Sequence, residues 1–218
     1  MEISIIQLNS REEWLEYRRN YIGGSEASCI VGMNSYTTNV ELWEIKTGRR
    51  QAEDISEKSF VKYGTNAEEY LRKLFALDFP QYKVEYIDNN SVLNSKYPFA
   101  AASLDGFLTE KETGRKGILE IKTTNILQSL QKEKWRGRIP DNYYIQVLHY
   151  LMVTGFDFVV LKAQLKYDHE GDIMLNTRHY KIEREEVLED IEFLKKAEKE
   201  FYEYVKNDMQ PPLVLPVI

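Results

Sequence analysis

The sequence predicts a mixed α/β domain, with short strands forming a central mixed sheet and amphipathic helices flanking it. Three observations support this. Helix-start signals recur along the chain. Short apolar runs with turn residues between them crowd the middle. Two long helical periodicities stand before and after them, at about 59–79 and 184–206. Length (218 residues) and a 43% hydrophobic content suit one sizeable core. The absence of a repeat or of a linker-like stretch predicts one domain over residues 1–218.

Taken in order, Ser10 followed by Glu13 reads as a capping box opening the helix of "REEWLEYRR". In "YIGGSEASCIVGM" two glycines allow close backbone approach, and Ser25 can cap a further short helix. Thr38 and Glu41 form a second capping box, with Gly48 as the stop. In "SFVKYGTNAEEYLRKLFALDF" Phe60, Ala67, Leu71, Leu74 and Phe75 fall at helical spacing. Strands are expected near 83–87, 91–94, 99–103 and 106–109 as a meander, then the turn "EKETGRKG" and the strand "ILEIKTT". Helices follow at about 126–135 and 141–154, the second started by Pro140 and Asp141 and stopped by Gly155. "FVVLKAQLKY" and "RHYKIE" read as a hairpin. The last helix, 184–206, turns Val187, Ile191, Leu194, Phe201 and Val205 inward. The apolar end "QPPLVLPVI" is expected to pack on the body or to touch a partner.

Charged residues make up 29% of the chain, and no apolar run approaches the ~20 residues of a membrane span. No basic-then-apolar leader stands at the start. The single cysteine, Cys29, excludes an internal disulfide and a cysteine zinc site. A cytosolic, membrane-free protein is expected. The net charge of −6 argues mildly against wrapping nucleic acid but leaves room for a local basic groove.

The stretch "GILEIKTTN" carries the chemistry. Side chains alternate along a strand, so Glu120 and Lys122 share one face while Leu119 and Ile121 share the other. Asp105, in "SLDG", lies fifteen residues before Glu120 and can reach it from a neighbouring strand. Two carboxylates at a strand end make a hard oxygen site for Mg²⁺ or Mn²⁺. A lysine two residues on stands beside the attacking water, the set that metal-assisted phosphodiester hydrolysis needs. The plain alternative is an ordinary Glu–Lys pair on a surface hairpin.

The Asp followed by Glu-x-Lys resembles the signature of the PD-(D/E)xK nuclease superfamily. Further stretches, in family order, resemble the YqaJ-type viral recombinase family, to which phage lambda exonuclease is similar. They are "RRNYIGGSEASCIVGMNSYTTNVELWEIKTG", "YGTNAEEYL" with its G-x-x-x-E, and "WRGRIPDNYYIQVLHYLMVTG" with its glutamine. The resemblance implies a restriction-endonuclease-like core. It makes Asp105, Glu120, the Ile121 carbonyl and Glu68 the metal ligands of a site holding two Mg²⁺ or Mn²⁺ ions. Lys122 would orient the attacking water, and Gln146 would hold water or the scissile phosphate. Arg18, Ser25 and Ser103 would bind the 5′-phosphate. The activity implied is 5′-to-3′ exonucleolytic digestion of linear double-stranded DNA, by a ring trimer working with a single-strand annealing protein, as a phage or prophage product in the bacterial cytoplasm. Another endonuclease of the superfamily, and a non-catalytic DNA-binding module, are the alternatives. Glu69 competes with Glu68 and Arg19 with Arg18. Arg115 and Lys116 offer a DNA contact or a solvated turn. His149 is read as structural, and Trp43 and Trp135 as core.

Overall fold

The computed structural model describes residues 3–127 and 129–216. The order is β1 (Ile3–Gln7), α1 (Arg11–Arg18), β2 (Ile22–Gly23), α2 (Gly24–Ile30), α3 (Asn39–Lys46), α4 (Ser59–Asp78), β3 (Tyr82–Glu85), β4 (Asn90–Asn94), β5 (Ala100–Ala102), β6 (Gly106–Glu110), β7 (Lys116–Asn125), α5 (Ser129–Lys134), α6 (Asp141–Thr154), β8 (Phe158–His169), β9 (Asp172–Glu183), a 3₁₀ turn (Arg184–Val187) and α7 (Leu188–Lys206).

The expected central sheet is two sheets. One runs β1-β4-β5-β2 and the other β3-β6-β7-β8-β9. The expected meander therefore divides. β4 and β5 pair with each other, β6 pairs with β3 and β7, and the chain changes sheet between β3 and β4 and again between β5 and β6. Strand periodicity cannot show this, because it fixes which face a residue takes and says nothing about which neighbour the strand finds. β1 was not anticipated. In the larger sheet β7 and β8 are parallel, joined by the crossover through α5 and α6.

Helix α6 explains its own boundaries and burial. Pro140 stands at its N-cap, and Gly155, at φ 65°, closes it in the left-handed region. Residues Ile145–Thr154 are all buried, as an apolar-all-round helix must be. On α4 only Leu71 and Phe75 of the expected stripe are fully buried; Phe60 (54%) and Leu74 (49%) are exposed. The helix packs across one face of its sheet over the central strand β7, and only a narrow stripe is covered, against Leu119, Ile121 and Phe158. The capping box of α3 is complete, with Thr38 Oγ1 accepting from Glu41 N and Glu41 Oε2 from Thr38 N; at α1 Ser10 Oγ accepts from Glu13 N, but the Glu13 carboxylate accepts from Asn9 N instead of closing the box. Ser25 is no cap, since Gly23 holds that position and Ser25 lies in the first turn of α2.

The last helix begins with the 3₁₀ turn, and its buried face includes Glu198 beside Ile191, Leu194 and Phe201. Val187 and Val205 are only partly covered. The apolar tail packs on the body: Asn39 Nδ2 donates to the Pro212 carbonyl and Val214 N donates to Asn39 Oδ1. Residues 217 and 218 of that tail lie outside the described residues. Trp43 and Trp135 are core, as read. Among the described residues no helix is long and apolar enough to cross a membrane.

Candidate active site

Strand β6 leaves β7 at the pair Gly106↔Leu119, so the edge of β7 beyond Leu119 has no strand on that side. Asp105 precedes Gly106 at this fork, and its Oδ2 accepts the Ile121 N–H at 2.8 Å, the bond a continuing strand would have taken. In a strand the N–H and C=O of one residue point to the same edge. The Ile121 carbonyl therefore faces the fork too.

A cleft of about 270 Å³ opens there. Its walls bring together Glu68, Asp105, Glu120, Ile121, Lys122, Gln146, Arg18, Ser25 and Ser103, which are all the site residues expected from the sequence. Glu68 comes from α4, where Gly64 one turn earlier keeps the helix against β7: a Cβ there would stand 3.0 Å from Thr123 Oγ1. Glu69 points away, exposed and paired with Lys73. β2 runs parallel to β5, with Gly23 opposite Ala101, and this sets Arg18 and Ser25 beside Ser103. Arg19 is instead an exposed partner of Glu16.

The floor is a bonded set. Lys122 Nζ lies 2.6 Å from Glu120 Oε1 and 4.9 Å from the centre of the Tyr143 ring. Gln146 Nε2 donates to Glu120 Oε1 (2.9 Å) and to the Tyr150 hydroxyl (2.7 Å). Oε1 of Glu120 also takes the Lys122 ammonium, so this oxygen is an acceptor and the amide nitrogen faces it. Both its hydrogens are then used, and Gln146 Oε1 is left to accept. Arg72 Nη2 donates to Glu68 Oε1 at 2.7 Å. At the other wall Arg18 Nη2 donates to Ser25 Oγ (3.2 Å), its guanidinium stacks 4.6 Å from the Trp14 ring, and the Trp14 N–H donates to Ser103 Oγ (3.1 Å). Gly24 must be glycine, since a Cβ would meet the buried Tyr150 ring at 2.5 Å.

The acids repel one another in a dry setting. Burial, then the Asp105 charge, pushes Glu120 up to about 8, and the same causes push Glu68 up to about 7. Burial also raises Asp105. Burial works against the Lys122 ammonium, but the Glu120 carboxylate outweighs it and holds the amine protonated. Glu120 is 1% exposed, and its Oε2 has no hydrogen-bond partner. Raised carboxylates and an orphaned buried oxygen mark a place that favours added positive charge, and an all-oxygen donor set suits a hard divalent cation. As arranged, no three His, Cys, Asp or Glu among the described residues stand ready to close around a metal. Lys122, Arg72 and the Ile121 N–H hold the carboxylates instead.

Four contributors escaped the sequence reading: Trp14, Arg72, Tyr143 and Tyr150. Trp14, Arg72 and Tyr150 each lie four residues along a helix from a named site residue (Arg18, Glu68 and Gln146), a spacing that could have found them. Arg115 is tied to Glu183, and Lys116 Nζ donates to Thr109 Oγ1, so this turn braces the sheet.

The family model for the YqaJ-like viral recombinase domain matches residues 13–157. The uncharacterized protein YqaJ of Bacillus subtilis (strain 168) is 34% identical over 200 residues, or 88% of this chain; the chain spans 56% of that relative's length. The crystal structure of an alkaline exonuclease (LHK-Exo) from Laribacter hongkongensis is similar with a TM-score of 0.59 at 16% identity, covering 90% of this chain and 95% of that one. A phage related exonuclease from Haemophilus somnus 129PT gives 0.58 at 14% identity, covering 86% and 96%. At such identities the two structures show the shared restriction-endonuclease-like fold.

Proposed function

The chain belongs to the YqaJ-like viral recombinase family, and on that premise we propose that it is a metal-dependent deoxyribonuclease, a 5′-to-3′ exonuclease on linear double-stranded DNA. One observation carries the reading. A single cleft holds three mutually repelling carboxylates with an orphaned oxygen at one end and an arginine–serine corner at the other. The first suits a cation and the second a terminal phosphate.

Asp105, Glu120, Glu68 and the Ile121 carbonyl would hold Mg²⁺ or Mn²⁺, in one or two sites. Bound there, the cation supplies Lewis-acid activation of the phosphate and of water. The chain's own groups do the rest. Lys122, kept protonated by Glu120, donates to the attacking water and to the charge that grows on the phosphate. Gln146 fixes the Glu120 carboxylate with its amide hydrogens, and its free oxygen accepts from that water. Arg18 keeps donors beyond the one given to Ser25. Stacked on Trp14, its guanidinium is held ready for the planar, paired contacts a 5′-phosphate accepts. Ser25 and Ser103 add hydroxyls to the same corner. Holding the terminal phosphate there and the scissile phosphate over Lys122 fixes the register from the 5′ end.

The rest of the reading follows from family likeness: one domain over residues 1–218, a ring trimer around DNA, cooperation with a single-strand annealing protein, and a phage or prophage product working in the bacterial cytoplasm. A ring would confine the basic surface to its channel and leave the outside acidic, in keeping with the net charge of −6. The test uses linear duplex, labelled on one strand and phosphorylated at the 5′ end, with a covalently closed circle as comparison. Expected is Mg²⁺-dependent release of nucleotides from the 5′ end of the linear form alone. Cutting of the closed circle would make the protein an endonuclease, and release from the 3′ end would reverse the polarity.

A further inference from the structure

Asp105 sits where the chain passes from one sheet to the other, between β5 and β6, so its carbonyl has no strand partner. That carbonyl accepts instead from Arg72 Nε at 2.6 Å. A second nitrogen of the same guanidinium, Nη2, donates to Glu68 Oε1 at 2.7 Å. Its flat face lies 3.5 Å from the centre of the Tyr86 ring. Arg72 thus bonds two cation-ligand candidates from two separate elements, α4 and the β5–β6 link, while its own side chain is 12% exposed and stands outside the cleft lining.

We propose that Arg72, braced by Tyr86, is the positioning residue that sets the distance between Glu68 and Asp105 and so the geometry of the cation site. The inference rests on the metal-dependent reading above. A guanidinium can serve two acceptors from two nitrogens fixed in one plane; an ammonium is a point charge on a flexible stem and cannot hold both in register. Charge alone predicts the opposite of position. Glu68, Asp105 and Glu120 face Lys122 and Arg72, so the positive charge at Arg72 by itself weakens cation binding, and only its geometry favours it.

Two variants separate these effects: Arg72→Lys keeps the charge and loses the two-nitrogen contact, while Arg72→Gln loses both. Mn²⁺ affinity of the DNA-free protein is measured by calorimetry, alongside the thermal midpoint, kcat and the KM for linear duplex. Arg72→Lys is expected to bind Mn²⁺ about tenfold or more weakly and to lose kcat by a similar factor. Its thermal midpoint and duplex KM should stay near wild type. Arg72→Gln should bind Mn²⁺ better than Arg72→Lys yet turn over no faster. Wild-type Mn²⁺ affinity and kcat in Arg72→Lys would overturn the proposal, as would losses that merely track a fallen midpoint. A wild-type protein that binds Mn²⁺ but releases no nucleotides would defeat the nuclease reading and leave the affinity comparison intact. A wild-type protein that binds no Mn²⁺ would overturn the inference itself.

Discussion

Helix α6 carries two polar residues three positions apart, and each is bonded to a buried glutamate. Gln146 holds Glu120 in the cleft; His149 holds Glu198, through Nδ1 at 2.7 Å, in the seam with α7. Each glutamate keeps one buried oxygen with no hydrogen-bond partner. By that sign alone the two are equivalent. They differ in company and access. Around Glu120 stand two more carboxylates and an open cleft, so negative charge is in excess. Glu198 and His149 are both fully enclosed, and the second ring nitrogen, Nε2, faces the Ala101 carbonyl. Nε2 donates to that carbonyl, Nδ1 and Glu198 Oε1 share one proton between them, and the pair is neutral overall. A buried acid with a spare oxygen is therefore not a site in itself. It becomes one when like charges surround it and something can enter.

The two glutamates should differ most in what their loss does to turnover, and the cleft is the sensitive one. Glu120→Gln should lower nucleotide release by at least on the order of 10³-fold while duplex binding persists in a gel-shift assay. Activity within tenfold of wild type would mean that Glu120 is no more a working group than Glu198. On the sealed side, Glu198→Ala strips one partner from a buried ion pair and should cost about 3–5 kcal/mol in urea unfolding. At temperatures where the variant stays folded, its turnover should match wild type. Loss of turnover with full stability would move Glu198 into the working site.

The smallest effect is a slope against pH. Burial lowers the His149 pKa, but the Glu198 charge and hydrogen bond outweigh it, and the result lies above the usual 6.5. A histidine raised in the folded state lends its full stabilisation below the unfolded value and loses it as pH rises through the folded one. The urea midpoint should thus fall from pH 6.5 upward more steeply in wild type than in His149→Phe. Parallel curves would show that the buried ring carries no charge.

Much of this was legible along the chain. The alternation in "GILEIKTTN" already set Glu120 and Lys122 on one face, and the ends of α6 follow from Pro140 and Gly155. Where the sequence reading fell short, the deciding contact was remote. Glu198 lies among other acids in α7, and its partner stands 49 positions away. Ser25 has the composition of a cap, but the strand pair Gly23↔Ala101 advances the helix start by two residues and leaves its hydroxyl facing Arg18.

The local sequence was enough for the starts of α1, α3 and α6, the stop of α6 at Gly155, the facing of β7, and the order of motifs that marks the family. Capping, glycine conformation and side-chain alternation act within about one turn or two residues, so local composition suffices for them. Only the tertiary structure decided that the strands form two sheets with a fork at Gly106 and Leu119. The same packing turned Glu68, rather than Glu69, into the cleft and bound Arg72 to two of its carboxylate-bearing residues. Those outcomes depend on which distant surfaces bury one another, and the physical reason is that burial and charge pairing are properties of neighbours in space, which no short stretch of chain contains.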